Sequence, residues 1–132
     1  MTPSPLTIKL RLHTAHRALL LNPPAGYLES LGELPKDLLL DTEITGTYDF
    51  THLFVKDSQD LHELIDQVLK AVQYDSLLWI SYPKSSSLVE TDLNRDSLWE
   101  TMLEKGIRPV TLVSVDQVWS ALRFRPADRV GK

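Results

Sequence analysis

Residues 107–124 read IRPVTLVSVDQVWSALRF. Two runs rich in β-formers, 107–115 and 118–124, are separated only by Asp116 and Gln117. A parallel pair needs a long crossover, so strands this close in sequence pair as an antiparallel hairpin. Pro109 has no N–H to contribute to a ladder, which puts the first of the two strands at the edge of its sheet. The hairpin is the element that decides the fold, because everything before it alternates between strand and helix.

Immediately upstream, a helix starting near Asp92 carries Leu98, Trp99, Met102 and Leu103 and stops at Gly106. LLWISYP (77–83) is a short continuous apolar run, the pattern of a strand buried on both faces. The clearest helix follows a Ser58 cap. Leu61, Leu64, Ile65, Val68, Leu69 and Val72 fall on one stripe, opposite Gln59, Asp60, Glu63, Asp66 and Lys70, so it docks by one side only. YDFTHLFV (48–55) is a strand, and DLLLDTEIT (37–45) a weaker one with a turn at Gly46. ALLLN (18–22) is a buried strand, after which Asn22 caps a short helix with Pro23 at its first position and Gly32 at its stop. IKLRL (8–12) fits a strand or a short helix equally well. This order predicts a single domain over residues 1–132, a three-layer α/β sandwich whose mostly parallel sheet ends in an antiparallel hairpin. About five residues at the N-terminus and about six at the C-terminus are expected to be flexible.

Net charge is -4, from 14 basic and 18 acidic residues, and the basic stretches RLHTAHR (11–17) and RFRPADR (123–129) are short and interrupted. A nucleic-acid partner is therefore not expected, since phosphate contacts need a clustered basic surface. The absence of cysteine excludes disulfides, thiolate metal sites and cysteine nucleophiles. No run has signal-peptide or membrane-spanning character, so a soluble cytoplasmic protein with no membrane partner is expected.

Open α/β sheets bind ligands beyond the carboxyl ends of their strands. Asn22, Lys56 and the loop YPKSSSLVETDLNRD (82–96) belong to that edge. Lys84 and Arg95 would neutralise an anion there, Ser85, Ser86, Ser87 and Thr91 would donate hydrogen bonds, and the helix start at Asp92 would add N–H groups. The same serines, threonine and aspartate also serve as turns and caps, although capping needs neither Lys84 nor Arg95. Ser81 and Lys84 match an S-x-x-K pattern, but Ser81 lies within a strand and Pro83 breaks any helix, so that chemistry is discarded. His13, His16, His52 and His62 lack metal-ligand spacing, no G-x-S-x-G elbow is present, and neither a metal nor a catalytic set is expected. Trp79, Trp99 and Trp119 are expected in the core. The strand of Trp119 exposes Arg123 and Arg125 at one end, where a cation–π contact or an oligomer surface would fit.

YDFTHLFV, LLWISYP and IRPVTLVSVDQVWSALRF stand in the order of the fourth strand, fifth strand and closing hairpin of the S-adenosylmethionine-dependent methyltransferases. Over roughly its last two-thirds the chain resembles that Rossmann-like fold, with one strand–helix unit missing around residues 42–48. Along nearly its whole length, LLLNPPAGYLESLG, DFTHLFV, LWISYPKSSSLVETDLNRDSLW, GIRPV and VDQVWSALRF resemble an uncharacterised bacterial family, a domain of unknown function, which implies a fold and no activity. The methyltransferase resemblance implies a glycine-rich turn after the first strand and an acidic residue after the second. Here the turn is NPPAGYLESLG, in which Pro23 and Pro24 remove two N–H donors and Gly26 stands alone, while Asp41 or Glu43 is available to grip a ribose. The expectation is a non-catalytic, methyltransferase-like domain without cofactor that binds a small anionic ligand or a protein partner, a second copy included. The alternatives are a divergent S-adenosylmethionine-dependent methyltransferase, using Asn22, Gly26 and Asp41, and a purely structural interaction module.

Overall fold

The structure, a computed structural model, describes residues 4–130. In chain order it contains α1 (Pro5–Leu10), a 3-10 turn (Leu12–Thr14), β1 (Arg17–Leu21), α2 (Tyr27–Ser30), β2 (Leu39–Asp41) and β3 (Tyr48–Phe54). Then come α3 (Ser58–Ala71), β4 (Val72–Pro83), α4 (Arg95–Leu103), β5 (Ile107–Ser114), β6 (Trp119–Pro126) and a 3-10 turn (Ala127–Arg129). The sheet order is β2-β1-β3-β4-β6-β5, parallel from β2 to β4 and antiparallel at β6 and β5. The hairpin forms as expected. Pro109 sits on the edge strand, where the register shifts between Pro109 and Thr111.

Two apolar layers flank the sheet. On one face Leu53, Leu78, Ile80, Leu122 and Phe124 meet Leu61, Ile65 and Val68 of α3 and Leu98 and Met102 of α4. On the other, Ala18, Leu20, Phe50, Phe54, Trp79 and Ala121 meet Leu10, Leu12, Tyr27 and Leu31. Trp79 donates its indole N–H to the Leu10 carbonyl at 3.0 Å, which satisfies the one polar atom of a fully buried side chain. Trp99, expected in the core, is 41% exposed on the outer side of α4.

Several boundaries differ from the sequence pattern, each for a local reason. IKLRL is helical: Ser4 caps α1 by accepting from the Thr7 N–H, and the helix ends at Arg11 with a left-handed φ of 64°. Asn22 does not cap α2. Its φ is 56°, whereas a capping side chain works from the extended region, and α2 starts only at Tyr27, after Gly26 at φ 87°. Asp57, not Ser58, caps α3, because its carboxylate accepts from the Asp60 N–H at 2.9 Å. Val72 leaves the helical stripe and begins β4, and residues 73–76 bulge between the pairs Tyr48–Val72 and Phe50–Leu77. Of the two ends expected to be flexible, residues 1–3 and 131–132 lie outside the described residues; Pro5 starts α1, and 127–129 form the closing turn.

The largest departure is at β2, which keeps only three residues of the nine in DLLLDTEIT. β2 and β3 lie on opposite sides of β1, so residues 42–47 must cross it without the strand–helix unit that the resemblance lacks there. A polar knot fixes that crossing. Arg17 donates to Asp41 and to Thr45 Oγ1, both at 2.9 Å, and Tyr48 donates to Asp41 at 2.7 Å. The Thr45 N–H donates to the Tyr48 hydroxyl at 3.0 Å, and the Arg17 guanidinium lies 4.8 Å above the Tyr48 ring. Gly46 passes so close to Arg17 that an added Cβ would collide with its guanidinium. Gly46→Ala should therefore lower stability by about 1–2 kcal/mol in urea unfolding, through overpacking against a fixed group. In an Arg17→Ala background the same change should cost almost nothing, and equal costs in both backgrounds would show that the guanidinium is not held there.

Candidate functional site

β4 ends at Pro83, and the loop that follows lies at the carboxyl edge of the parallel strands. Most of its polar side chains serve the loop itself. Ser87 Oγ donates to the Lys84 carbonyl at 2.8 Å and accepts from the Val89 N–H, while Thr91 Oγ1 accepts from the Leu93 N–H at 3.0 Å. Asp92 does not start α4. Asn94 does, in a reciprocal capping box with Ser97. The Asp92 carboxylate instead accepts from the N–H and hydroxyl of Ser58, tying the loop to the start of α3, and those bonds hold its pKa below the usual carboxylate range. Ser85 and Ser86 are exposed.

The two cations do not converge. Lys84 Nζ donates to Ser114 Oγ on β5 at 2.6 Å. Arg95 stands in the first turn of α4, 3.9 Å from Asp96, over a different hollow that it shares with Trp99, Pro109, Thr111 and Leu112. Asn22 lines a third hollow with Pro24, Phe54, Lys56, Asp60 and Trp119. What the loop forms instead is an open groove of about 930 Å³ between residues 84–94 and the start of α3, with Asp57, Glu90 and Asp92 set against Lys84. Leu88, in the same loop, is fully exposed.

The positions that would hold a cofactor are placed as follows. Asp41 ends β2, but Tyr48, Arg17 and Thr45 all donate to Oδ2 of its carboxylate and hold its pKa below the ordinary value. Glu43 contributes its carbonyl to the same knot, accepting from Tyr48 at 3.1 Å. Gly26 adopts a left-handed φ, and a Cβ added to it would meet no protein atom within 4 Å, so the space on that side is open. Among the described residues no group of histidine and carboxylate side chains is arranged to hold a metal, and no helix is long and apolar enough to cross a membrane.

One polar cluster escaped the sequence reading. His52 is fully buried, with Nδ1 2.6 Å from the Tyr27 hydroxyl and Nε2 2.6 Å from Ser81 Oγ. Its ring stacks on Phe54 at 4.2 Å. The signal was present: alternation along YDFTHLFV places residue 52 on the same face as Phe50 and Phe54. Ser81 and Tyr27 are buried too, so the cluster joins α2, β3 and β4 without offering a nucleophile to solvent. Burial pushes the His52 pKa down to about 3 and that of Tyr27 upward.

Taken together, the sheet order, the closing hairpin and the helices on both faces define the S-adenosylmethionine-dependent methyltransferase fold. The chain is similar to the ribosomal protein L11 methylase of Lactobacillus delbrueckii subsp. bulgaricus, with a TM-score of 0.59 and 12% identity over 92% of this chain and 76% of that one. It is also similar to the N-methyltransferase NodS of Bradyrhizobium japonicum WM9, solved with S-adenosyl-L-homocysteine, with a TM-score of 0.53 and 15% identity over 93% and 88% of the two chains. At these identities the likeness is one of fold. No family model and no curated protein matches the chain.

His52 makes stability depend on pH. The unfolded chain binds a proton at this residue near pH 6.5, while the folded chain refuses it down to about 3. Its contribution is complete above about pH 6.5 and declines as pH falls towards 3, by about 1.4 kcal/mol per pH unit. Urea unfolding should show the wild type losing about 2 kcal/mol between pH 7 and 5 relative to a His52→Gln variant, the full slope being reached only below about pH 5.5. Parallel curves would show that the imidazole titrates alike in both states.

Proposed function

We propose that this chain is a non-catalytic domain built on the methyltransferase fold, which recognises a protein partner and does not use S-adenosylmethionine. The observation that carries the first half is the engagement of Asp41. An acidic side chain at this end of the second strand serves a ribose by accepting from its hydroxyls, and here three donors already converge on one oxygen of the carboxylate while Arg17 neutralises its charge. Pro23 and Pro24 withhold two N–H groups from the turn after β1. These residues do not fit the cofactor, whatever the fold allows.

The surface best suited to a partner is the groove beside residues 84–94. It is open and broad, with an excess of carboxylates and the exposed apolar side chain of Val89 in its lining. A small anion would meet net repulsion there, because Lys84 alone opposes Asp57, Glu90 and Asp92. A basic segment of another protein with one apolar side chain has the complementary chemistry. Lys84, Ser85, Thr91 and Asp92 are then groove residues that a partner touches, and Arg95 and Asn22 stand outside it.

Titration with S-adenosylmethionine in a calorimeter should give no saturable heat up to about 1 mM. Micromolar binding that is lost in an Asp41→Asn variant would overturn the non-catalytic reading. In a separate NMR titration, a lysine- and leucine-containing model peptide should shift amide signals of residues 84–94 and of Ser58. The shifts should shrink with salt and with Glu90→Gln; if they fall elsewhere, the groove is not the docking surface.

A further inference from the structure

We propose that the face of the β5–β6 hairpin lined by Arg11, Arg108 and Arg123 is a binding site for a phosphate group. It lies at the amino ends of the parallel strands, since Phe124 of the antiparallel β6 pairs with Leu78 early in the apolar run of β4. The groove beside residues 84–94 is at the other end of the sheet, so the two sites are independent.

The arrangement follows from strand register. Ala121, Arg123 and Arg125 alternate onto one face of β6, and Ala121 on that face belongs to the core layer under α1. Register sets Arg108 of β5 directly opposite Arg125, and Thr111 opposite Arg123. Like charges facing one another across a ladder are unfavourable unless something neutralises them. Arg11, at the left-handed end of α1, adds a third charge that reaches the same neighbourhood.

Carboxylates supply only part of the neutralisation. Asp75, on the bulge of β4, receives two hydrogen bonds from Arg125, at 2.8 and 2.9 Å, and a third from Arg129 at 3.2 Å. Those bonds hold the Asp75 pKa at about 2, and its hydrogen bonds go to Arg125 and Arg129 rather than to Arg123. Asp128 accepts from the Tyr74 hydroxyl at 2.6 Å. Among the described residues, no carboxylate lies within ion-pairing distance of Arg11, Arg108 or Arg123. Arg123 is the most exposed to the consequence. Its Nε is buried without a partner, and burial, then Arg11 and Arg125, lower its pKa against a smaller opposing pull from Asp75.

A half-buried guanidinium beside like charges is a costly feature to retain in a fold unless a counter-ion completes it. Arginine forks match the oxygens of phosphate in geometry, and a phosphate near neutral pH brings most of two negative charges, which fits an excess spread over three guanidinium groups. The overall charge of -4 makes the patch a local exception rather than a trend of the whole surface.

The test is a thermal-unfolding series with inorganic phosphate and, in a parallel arm, glycerol phosphate, each against sodium chloride of equal ionic strength. Phosphate at about ten times its Kd should raise the Tm by roughly 4 °C beyond the chloride control. An equal response to both compounds means that the phosphate group alone is recognised. A larger response to glycerol phosphate means that the site takes a phosphate carried on an organic molecule. The rise should vanish in Arg123→Met and fall several-fold in Arg11→Gln, a change at an exposed side chain. Without phosphate, Arg123→Met should melt at or above the wild-type temperature, because it removes an unpaired charge and keeps the apolar stem. The proposal is overturned if phosphate acts no differently from chloride, or if both variants keep the full rise. It also fails if Arg123→Met melts several degrees lower with or without phosphate.

Discussion

A carboxylate that is filled by its own protein is not free for a ligand, and at Asp41 this decides more than one feature. Arg17, Thr45 and Tyr48 all donate to it, and the loop carrying Thr45 and Gly46 is held over β1 as a result. That loop joins strands on opposite sides of β1 in six residues. The knot is what holds so short a crossing in place, and the same hydrogen bonds engage the Asp41 carboxylate.

The remaining polar groups divide by layer. Inside, the Tyr27–His52–Ser81 chain links one helix to two strands at 2.6 Å per contact, and burial keeps the imidazole neutral. Buried polar side chains of this kind are tolerable only when each finds a partner. Outside, Asp92 ties the loop after β4 to the N-terminus of α3, which joins the two loops that border the carboxyl edge into one surface. The cations follow the opposite logic. Where Asp75 meets Arg125 the pair forms a bidentate clamp, while Arg11, Arg108 and Arg123, at the end of α1, on β5 and on β6, have no carboxylate within ion-pairing distance among the described residues.

Much of the fold was legible from local pattern. The hairpin at 107–124 was readable because two residues cannot carry a parallel crossover, and Pro109 marked the edge because it has no N–H. The α3 stripe and the buried runs in β1, β3 and β4 were readable from periodicity alone. Helix caps were readable only as residue types. Asp57 and Asn94 took the roles expected of Ser58 and Asp92 because a cap depends on a single extended φ, which neighbouring aspartates and asparagines compete to adopt.

The site was the least legible part, and the reason is geometric. Lys84 and Arg95 are eleven positions apart in one loop and helix start, and sequence spacing says nothing about which way a loop folds. The fold sends one toward Ser114 and the other over Trp99. Asp41, Thr45 and Arg17 meet only because β2 pairs with β1, and Arg108 faces Arg125 only because a register is chosen among strands. Periodicity, proline and turn length are properties of neighbouring residues, so the chain alone determines its layers and its hairpin. Which charges are satisfied and which are left over is a property of contacts between distant residues, and it comes into being only when the sheet closes.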